Sequence, residues 1–382
     1  MKKFILTTVL SLFIFSISLA QVINNFEIKF KIDGMQAEGV FALFYGEKDV
    51  ATYEKIVLDK KRGEFAFRGY TPSVNIAGLG FIRDSRLYCA GKASNIWIVV
   101  YPGAKFTVTG SLEGKNYVDI YPTDGGENDM LAKLNEELMP LVYKSACAYV
   151  KLRREIGRLS KDEVKELEKE ILEAEKEIDV VKRYFFKEYP NSIAALWTME
   201  DMLIRNKIPV EELASYFKNV NDRKIRKSYF YRAVKDRIEG YTATAIGKKC
   251  PDIVSSNTID GSTFKLKSLQ GKYVIIDFWG TWCGPCCDGI PLMMAFRDKY
   301  KDKVELLGIS NDRTFDRWRD YILKAEMNYP NILCGPGDQD FVAKFNVQGF
   351  PTKILLDPNG AILYREVGES KEFYSKMKEM IR

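Results

Sequence analysis

Tyr273-Val274-Ile275-Ile276-Asp277-Phe278-Trp279-Gly280-Thr281-Trp282-Cys283-Gly284-Pro285-Cys286-Cys287, with Pro291 shortly after, is the stretch from which the rest of the chain is read. Tyr273 to Phe278 is a short run of β-branched and aromatic residues bounded by Gly271-Lys272, which predicts a buried strand. Beyond the cysteines, Ile290, Leu292, Met293 and Phe296 recur at helical spacing. A Cys-x-x-Cys at a strand-to-helix turn is the setting in which such a pair does redox chemistry. Cys283 then stands at a helix N-terminus, where unpaired backbone N–H groups and the helix dipole favour an anion. That placement lowers a thiol pKa from about 8.5 towards about 7, and the thiolate is the attacking species.

A zinc site would need a second pair of Cys or His ligands. The chain has seven cysteines and no histidine, and Cys89, Cys147, Cys250 and Cys334 each stand singly, so buried free thiols are their expected state. A structural disulfide is the plain alternative for Cys283 and Cys286. Dithiol exchange is preferred to both, with no metal and no cofactor expected.

Asp277-Phe278-Trp279 through Trp282-Cys283-Gly284-Pro285-Cys286, with Pro291, resembles the active site of the thioredoxin-like family. Val347-Gln348-Gly349-Phe350-Pro351-Thr352 resembles that family's cis-proline loop. Asp357-Pro358-Asn359-Gly360 and Gly368 resemble its C-terminal hairpin. The long interval between Cys286 and Pro351 resembles the exported thiol–disulfide interchange branch (TlpA- or ResA-like), which carries an extra helix–strand unit.

The resemblance implies an α/β domain, a central mixed sheet flanked by helices. It implies that Cys283 attacks a substrate disulfide, that Cys286 resolves the mixed disulfide, and that Asp277 takes the resolving thiol's proton. Trp282, Gly284, Pro285, Phe350 and Pro351 then form the substrate-binding wall. Gly284-Pro285 matches the reducing end of the superfamily, about −270 mV against about −120 mV for a strong oxidant. Disulfide-bonded protein substrates, apocytochromes c among them, and a membrane thiol electron donor follow from the same likeness. Cys287 departs from the pattern: it is either a competing thiol or a small helix residue facing the core, and the second reading is preferred. Three rivals are weighed: a peroxiredoxin-like peroxidase, a copper-delivery protein (which would need a histidine), and a chaperone- or isomerase-like client-binding module in which the dithiol is secondary.

Residues 1–20 have the form of a signal peptide: Lys2-Lys3, an apolar core, and Ser18-Leu19-Ala20 as a cleavage site. An uncleaved anchor is the alternative, so a periplasmic or otherwise extracytoplasmic protein is expected, with membrane association left open. A net charge of +6 without basic runs interleaved with aromatics implies no nucleic-acid partner. Residues 21–125 read as an antiparallel β-domain, a small sandwich or barrel. Phe26, Ile28, Phe30 and Ile32 alternate with charged residues, and further strands are expected at 40–45, 53–58, 64–68, 96–101, 105–109 and 117–121.

Residues 126–240 read as helical, and 241–382 as the thioredoxin-like domain. Ser160 and Glu163 form a capping box. Val164, Leu167, Ile171, Ala174, Ile178, Val181 and Phe185 then make an apolar seam, stopped near Pro190. Packing on the preceding helix is one use of that seam; homo-oligomerisation is the other. Helices are further expected at 192–205, 210–220 and 224–238, with a linker from Gly240.

Overall fold

The computed structural model describes residues 24–46, 56–87 and 89–381. The signal-peptide reading of residues 1–20 falls outside them. Among the described residues no helix is long and apolar enough to cross a membrane.

The N-terminal part is a sandwich of two three-stranded sheets. β1 (Phe26–Asp33), β2 (Gly39–Tyr45), β3 (Glu64–Gly69), β4 (Asn75–Ile82), β5 (Asn95–Val100) and β6 (Lys105–Ser111) assemble in the orders β3-β1-β6 and β2-β4-β5. Three of the four strand pairings are antiparallel, and β6 runs parallel to β1. Phe26, Ile28, Phe30 and Ile32 point inward with Phe65 and Phe67 against Leu79, Ile96 and Ile98. The opposite face of the second sheet carries Ile76, Trp97 and Val99 into a separate core shared with the helices. β4 and β5 are therefore buried on both faces, which explains their unbroken apolar runs.

Sequence and structure differ at three places here. β4 was not anticipated, because Gly78 and Gly80 resemble loop punctuation. The aromatic rings of Trp97 and Phe41 lie where β-carbons on these glycines would stand. Residues 117–121 are not a strand: Val118 and Ile120 are buried over the sandwich while the chain passes without a ladder. Of the expected strand at 53–58, residues 53–55 lie outside the described residues and 56–58 are irregular.

Helices α1 (Glu127–Glu155) and α2 (Lys161–Glu188) form a hairpin, α2 opening on the Ser160/Glu163 capping box. The seam of α2 lies along α1, with Leu167, Ala174 and Phe185 buried. α3 (Ile193–Ile204), α4 (Val210–Phe217) and α5 (Tyr229–Ala243) complete this layer. α5 starts later than expected, at the Ser228 cap. It also runs through Gly240 instead of ending there. Asn128 at the start of α1 holds the edge of β5: its side-chain oxygen accepts from the Val99 N–H (2.7 Å) and its amide donates to the Val99 carbonyl (3.0 Å). Asn128→Ala leaves both buried groups unpaired. It is expected to cost about 2 kcal/mol, read as a lower urea midpoint with unchanged slope.

The C-terminal part has the thioredoxin-like fold. A two-stranded lead-in, β7 (Val254–Ser255) and β8 (Phe264–Lys265), precedes β9 (Tyr273–Trp279), α6 (Gly284–Lys299), β10 (Val304–Ser310), α7 (Phe315–Lys324) and β11 (Asn331–Leu333). Then follow α8 (Phe341–Lys344), β12 (Thr352–Leu356), β13 (Ile362–Val367) and α9 (Lys371–Met380). The sheet order is β11-β10-β9-β12-β13, with β12 antiparallel to β9. β9 is thus central, as its apolar character requires. Its alternation sends Ile275 and Trp279 to the face covered by α6, α7 and α9, and Val274, Ile276 and Phe278 to the face covered by α8.

Candidate active site

The end of β9 delivers the chain to the surface, and α6 carries it back. Cys283 is the N-cap residue of α6, and its sulfur accepts a hydrogen bond from the Cys286 N–H (3.2 Å). Pro285 falls in the first turn, where its missing N–H costs nothing. Cys283 and Cys286 are joined as a disulfide, their Cα atoms 5.2 Å apart. Both are buried, Cys286 the more deeply, and they pack against Trp279, Ile290 and Met293.

The turn between strand and helix is pinned from the neighbouring strand. Asp312, buried after β10, accepts from the Thr281 N–H (3.0 Å) and hydroxyl (2.6 Å) and from the Ser310 hydroxyl (2.7 Å). The Asn311 N–H donates to the Trp279 carbonyl (2.9 Å). Asp312 was not singled out from sequence; an acid just after a strand looks like ordinary loop chemistry. Beside the turn, the half-exposed Trp282 ring meets Phe350 edge-on at 5.1 Å, and the Phe350–Pro351 peptide bond is cis. Trp282 and Phe350 are thus in contact, Gly284 and Pro285 are exposed in the turn, and Pro351 is buried.

Asp277 faces α6, on the same side of β9 as Ile275 and Trp279. Burial pushes its carboxyl up to about 6, with the Lys353 ammonium pulling down and the Glu369 carboxylate adding to the rise. Lys353 stands directly opposite on β12, 3.8 Å from Asp277 Oδ1, and is itself fully buried. Sequence reading passed over Lys353, although a lysine inside Thr352-Lys353-Ile354-Leu355-Leu356 is a charge in a run meant for a core. Cys287 is half-buried rather than in the core: its sulfur lies under the turn, 3.8 Å from the Gly280 carbonyl and 3.9 Å from that of Thr281, beside Tyr321. Among the described residues Cys89, Cys147, Cys250 and Cys334 take no part in a disulfide; Cys250 and Cys334 are buried and the other two half-exposed.

The cis-proline loop also has a support outside its own domain. Arg237 on α5 donates to the Val347 carbonyl (2.9 Å), and the Gln348 amide donates to the Leu203 carbonyl at the end of α3 (3.0 Å). These residues are far apart in sequence, and no local pattern announced them.

A family model described as thioredoxin-like matches residues 271–362. The thiol-disulfide oxidoreductase ResA of Bacillus anthracis is 33% identical over 125 residues, which are 32% of this chain and 70% of that protein. The thioredoxin-like protein YneN of Bacillus subtilis (strain 168) is 29% identical over 136 residues, 34% of this chain and 78% of that one. Among solved structures, the thioredoxin domain of a thiol-disulfide oxidoreductase from Bacteroides vulgatus is 27% identical, with a TM-score of 0.34 over 36% of this chain and 99% of that chain.

Proposed function

The chain belongs to the thioredoxin-like thiol-disulfide oxidoreductases of the ResA type, and from that premise we propose that it is an exported disulfide reductase working through Cys283 and Cys286. The observation that carries this reading is the placement of Cys283 as the cap of α6, its sulfur receiving a backbone N–H from inside the helix. A thiolate there is stabilised before any substrate arrives, by the hydrogen bond and by the helix dipole. Cys286 lies one turn inward, so it meets substrate only through Cys283.

The reducing half-reaction then has two steps. Cys283 thiolate attacks one sulfur of a protein disulfide, forming a mixed disulfide and releasing the other sulfur as a thiolate. Cys286 gives its proton to Asp277 and attacks Cys283, closing the internal disulfide and releasing the second substrate thiolate. Two electrons pass from the chain to the substrate. The surface bordered by Trp282, Gly284, Pro285, Phe350 and Pro351 receives the substrate backbone next to its sulfur.

The proposal places the enzyme outside the cytoplasm, on the reading of residues 1–20, with a membrane thiol donor restoring the dithiol. Its clients are disulfide-bonded proteins, apocytochromes c being the class the family resemblance implies. The reduction potential of the purified chain, equilibrated in glutathione buffers and read by alkylation of Cys283, tests the direction. A value near about −270 mV supports a reductase; one above about −180 mV overturns that direction in favour of an isomerase or oxidant.

A further inference from the structure

Behind the disulfide, three charged side chains form a row that leads from the protein interior to its surface. Asp277 on β9 faces Lys353 on β12, and the Lys353 ammonium is in turn ion-paired with the Glu369 carboxylate, in the segment joining β13 to α9. Lys353 is 2% exposed on its side chain and Asp277 3%, whereas Glu369 is 21% exposed. Of the three, the outer member alone meets water.

Glu369 is also fixed against the helix that carries the cysteines. A β-carbon on Gly289 would overlap the Glu369 carboxylate, and Gly289 lies one turn beyond Cys286 on the buried side of α6. The adjoining Gly368 N–H donates to the carbonyl of Pro351 (2.7 Å). One side chain thus touches the active-site helix and the buried ammonium, next to the cis-proline loop. Among the described residues Asp277 Oδ1 finds no hydrogen-bond partner, so its charge is balanced through space by Lys353.

We propose that Glu369 is a positioning residue of the redox site: by pairing with Lys353 it divides that buried positive charge between two carboxylates and so governs when Asp277 can hold the proton of Cys286. The inference rests on the reading of Cys286 as the resolving thiol and Asp277 as its base. When the Lys353 charge is shared with Glu369, Asp277 is held less firmly as a carboxylate and accepts a proton more readily. Without Glu369, the whole of that charge stabilises ionised Asp277. The other polar groups facing Asp277 are the phenols of Tyr329 and Tyr374, which burial keeps neutral. Glu366 lies beyond Lys353 on β13, and Arg297 of α6 is held by Asp298, Asn328 and Glu305.

The test isolates the step that moves this proton. Reduced protein is mixed with the chromogenic aryl disulfide dithiobis-nitrobenzoate, in a background where Cys89, Cys147 and Cys287 are serine. Cys283 thiolate breaks the aryl S–S bond and releases one coloured thiolate. Cys286, giving its proton to Asp277, then attacks Cys283 and releases the second. The dithiol loses two electrons, the aryl disulfide gains them, and the proton passes from Asp277 to solvent. The second phase therefore rises with pH as Asp277 ionises.

Glu369→Gln keeps the shape and removes the charge. It is expected to move the acid limb of this second phase to lower pH by about half a unit or more, and to lower its plateau a few-fold, because a base of lower pKa is weaker. Lys353→Met is expected to move the limb the opposite way, and Glu369→Asp to return it towards the parent. A structural role alone would not give shifts of opposite sign. If Asp277→Asn slows the second phase but Glu369→Gln leaves the limb where it was, the inference is overturned and the reading beneath it stands. If Asp277→Asn changes nothing, both are overturned. Unfolding midpoints of Glu369→Gln and Glu369→Asp confirm that folded proteins are compared.

Discussion

Cys283→Ser is expected to abolish reduction of insulin disulfides to the level of buffer, whereas Cys286→Ser is expected to keep the first step and accumulate a mixed disulfide with the substrate. The asymmetry follows from depth and from the helix cap. Cys283 directly follows Trp282, whose ring meets Phe350, and its sulfur receives the Cys286 N–H. A serine there has no accessible anion at neutral pH, so the loss is expected to be about a thousandfold or more. Cys286 is nearly inaccessible, so its loss is expected to remove resolution only. The trapped species is counted by mass spectrometry after acid quenching and identified by the mass of one substrate chain on Cys283.

Cys287 makes this a sharper experiment. Its sulfur is turned towards the Gly280 and Thr281 carbonyls and Tyr321, on the flank of α6 and away from the buried face that carries Cys286. Reaching Cys283 would require it to leave those contacts. The Cys286→Ser adduct is therefore expected to persist, and Cys286→Ser/Cys287→Ser to trap the same amount. A double variant that traps several times more would make Cys287 a second resolving thiol.

What could be read in advance follows from how local each signal is. β9 and the start of α6 were legible because one short apolar run and one cysteine pair each fix an element and its end. The seam of α2 was legible as a helix and packing on the preceding helix was one of the two uses read for it; spacing alone defines an apolar face without choosing between them, and α1 covers this one. Period-two patterns misled in the same way at residues 117–121, where alternation reports which side is buried, not whether a neighbour is hydrogen-bonded. β4 shows the converse, a paired strand hidden because rings from other strands occupy the space above its glycines. At the site, Cys283 and Cys286 are joined at the start of α6, within one short motif. Lys353 and Glu369 needed the register of β9 on β12 and the course of the chain after β13. Neither is a property of any short stretch.

Arg237 and Gly240 belong to the same class of hidden signal, and they carry the largest expected effect on stability. Gly240 lies within α5, where a glycine costs about 1 kcal/mol relative to alanine, so replacing it would ordinarily stabilise the helix. Here a β-carbon would collide with the Lys344 carbonyl at the end of α8, a backbone atom that cannot swing aside. Gly240→Leu must part α5 from α8. Parting them breaks the bond from Arg237 Nη1 to the Val347 carbonyl, and Arg237 is itself buried. Overpacking and a stranded cation outweigh the gain in helix propensity, for a net loss of about 3 kcal/mol, read as a lower urea midpoint. The segment that moves leads through Val347 and Gln348 to Phe350, the partner of Trp282. The KM for a protein disulfide should therefore rise severalfold while the reduction potential of Cys283 and Cys286 stays unchanged, because the bonds that hold the α6 cap and its turn come from α6 itself and from Asp312. Arg237→Gln, which removes the bond without the collision, should raise KM with a smaller loss of stability. If both variants keep the parental KM, the helical layer serves as a mount for the redox domain and has no part in shaping the surface that receives the client.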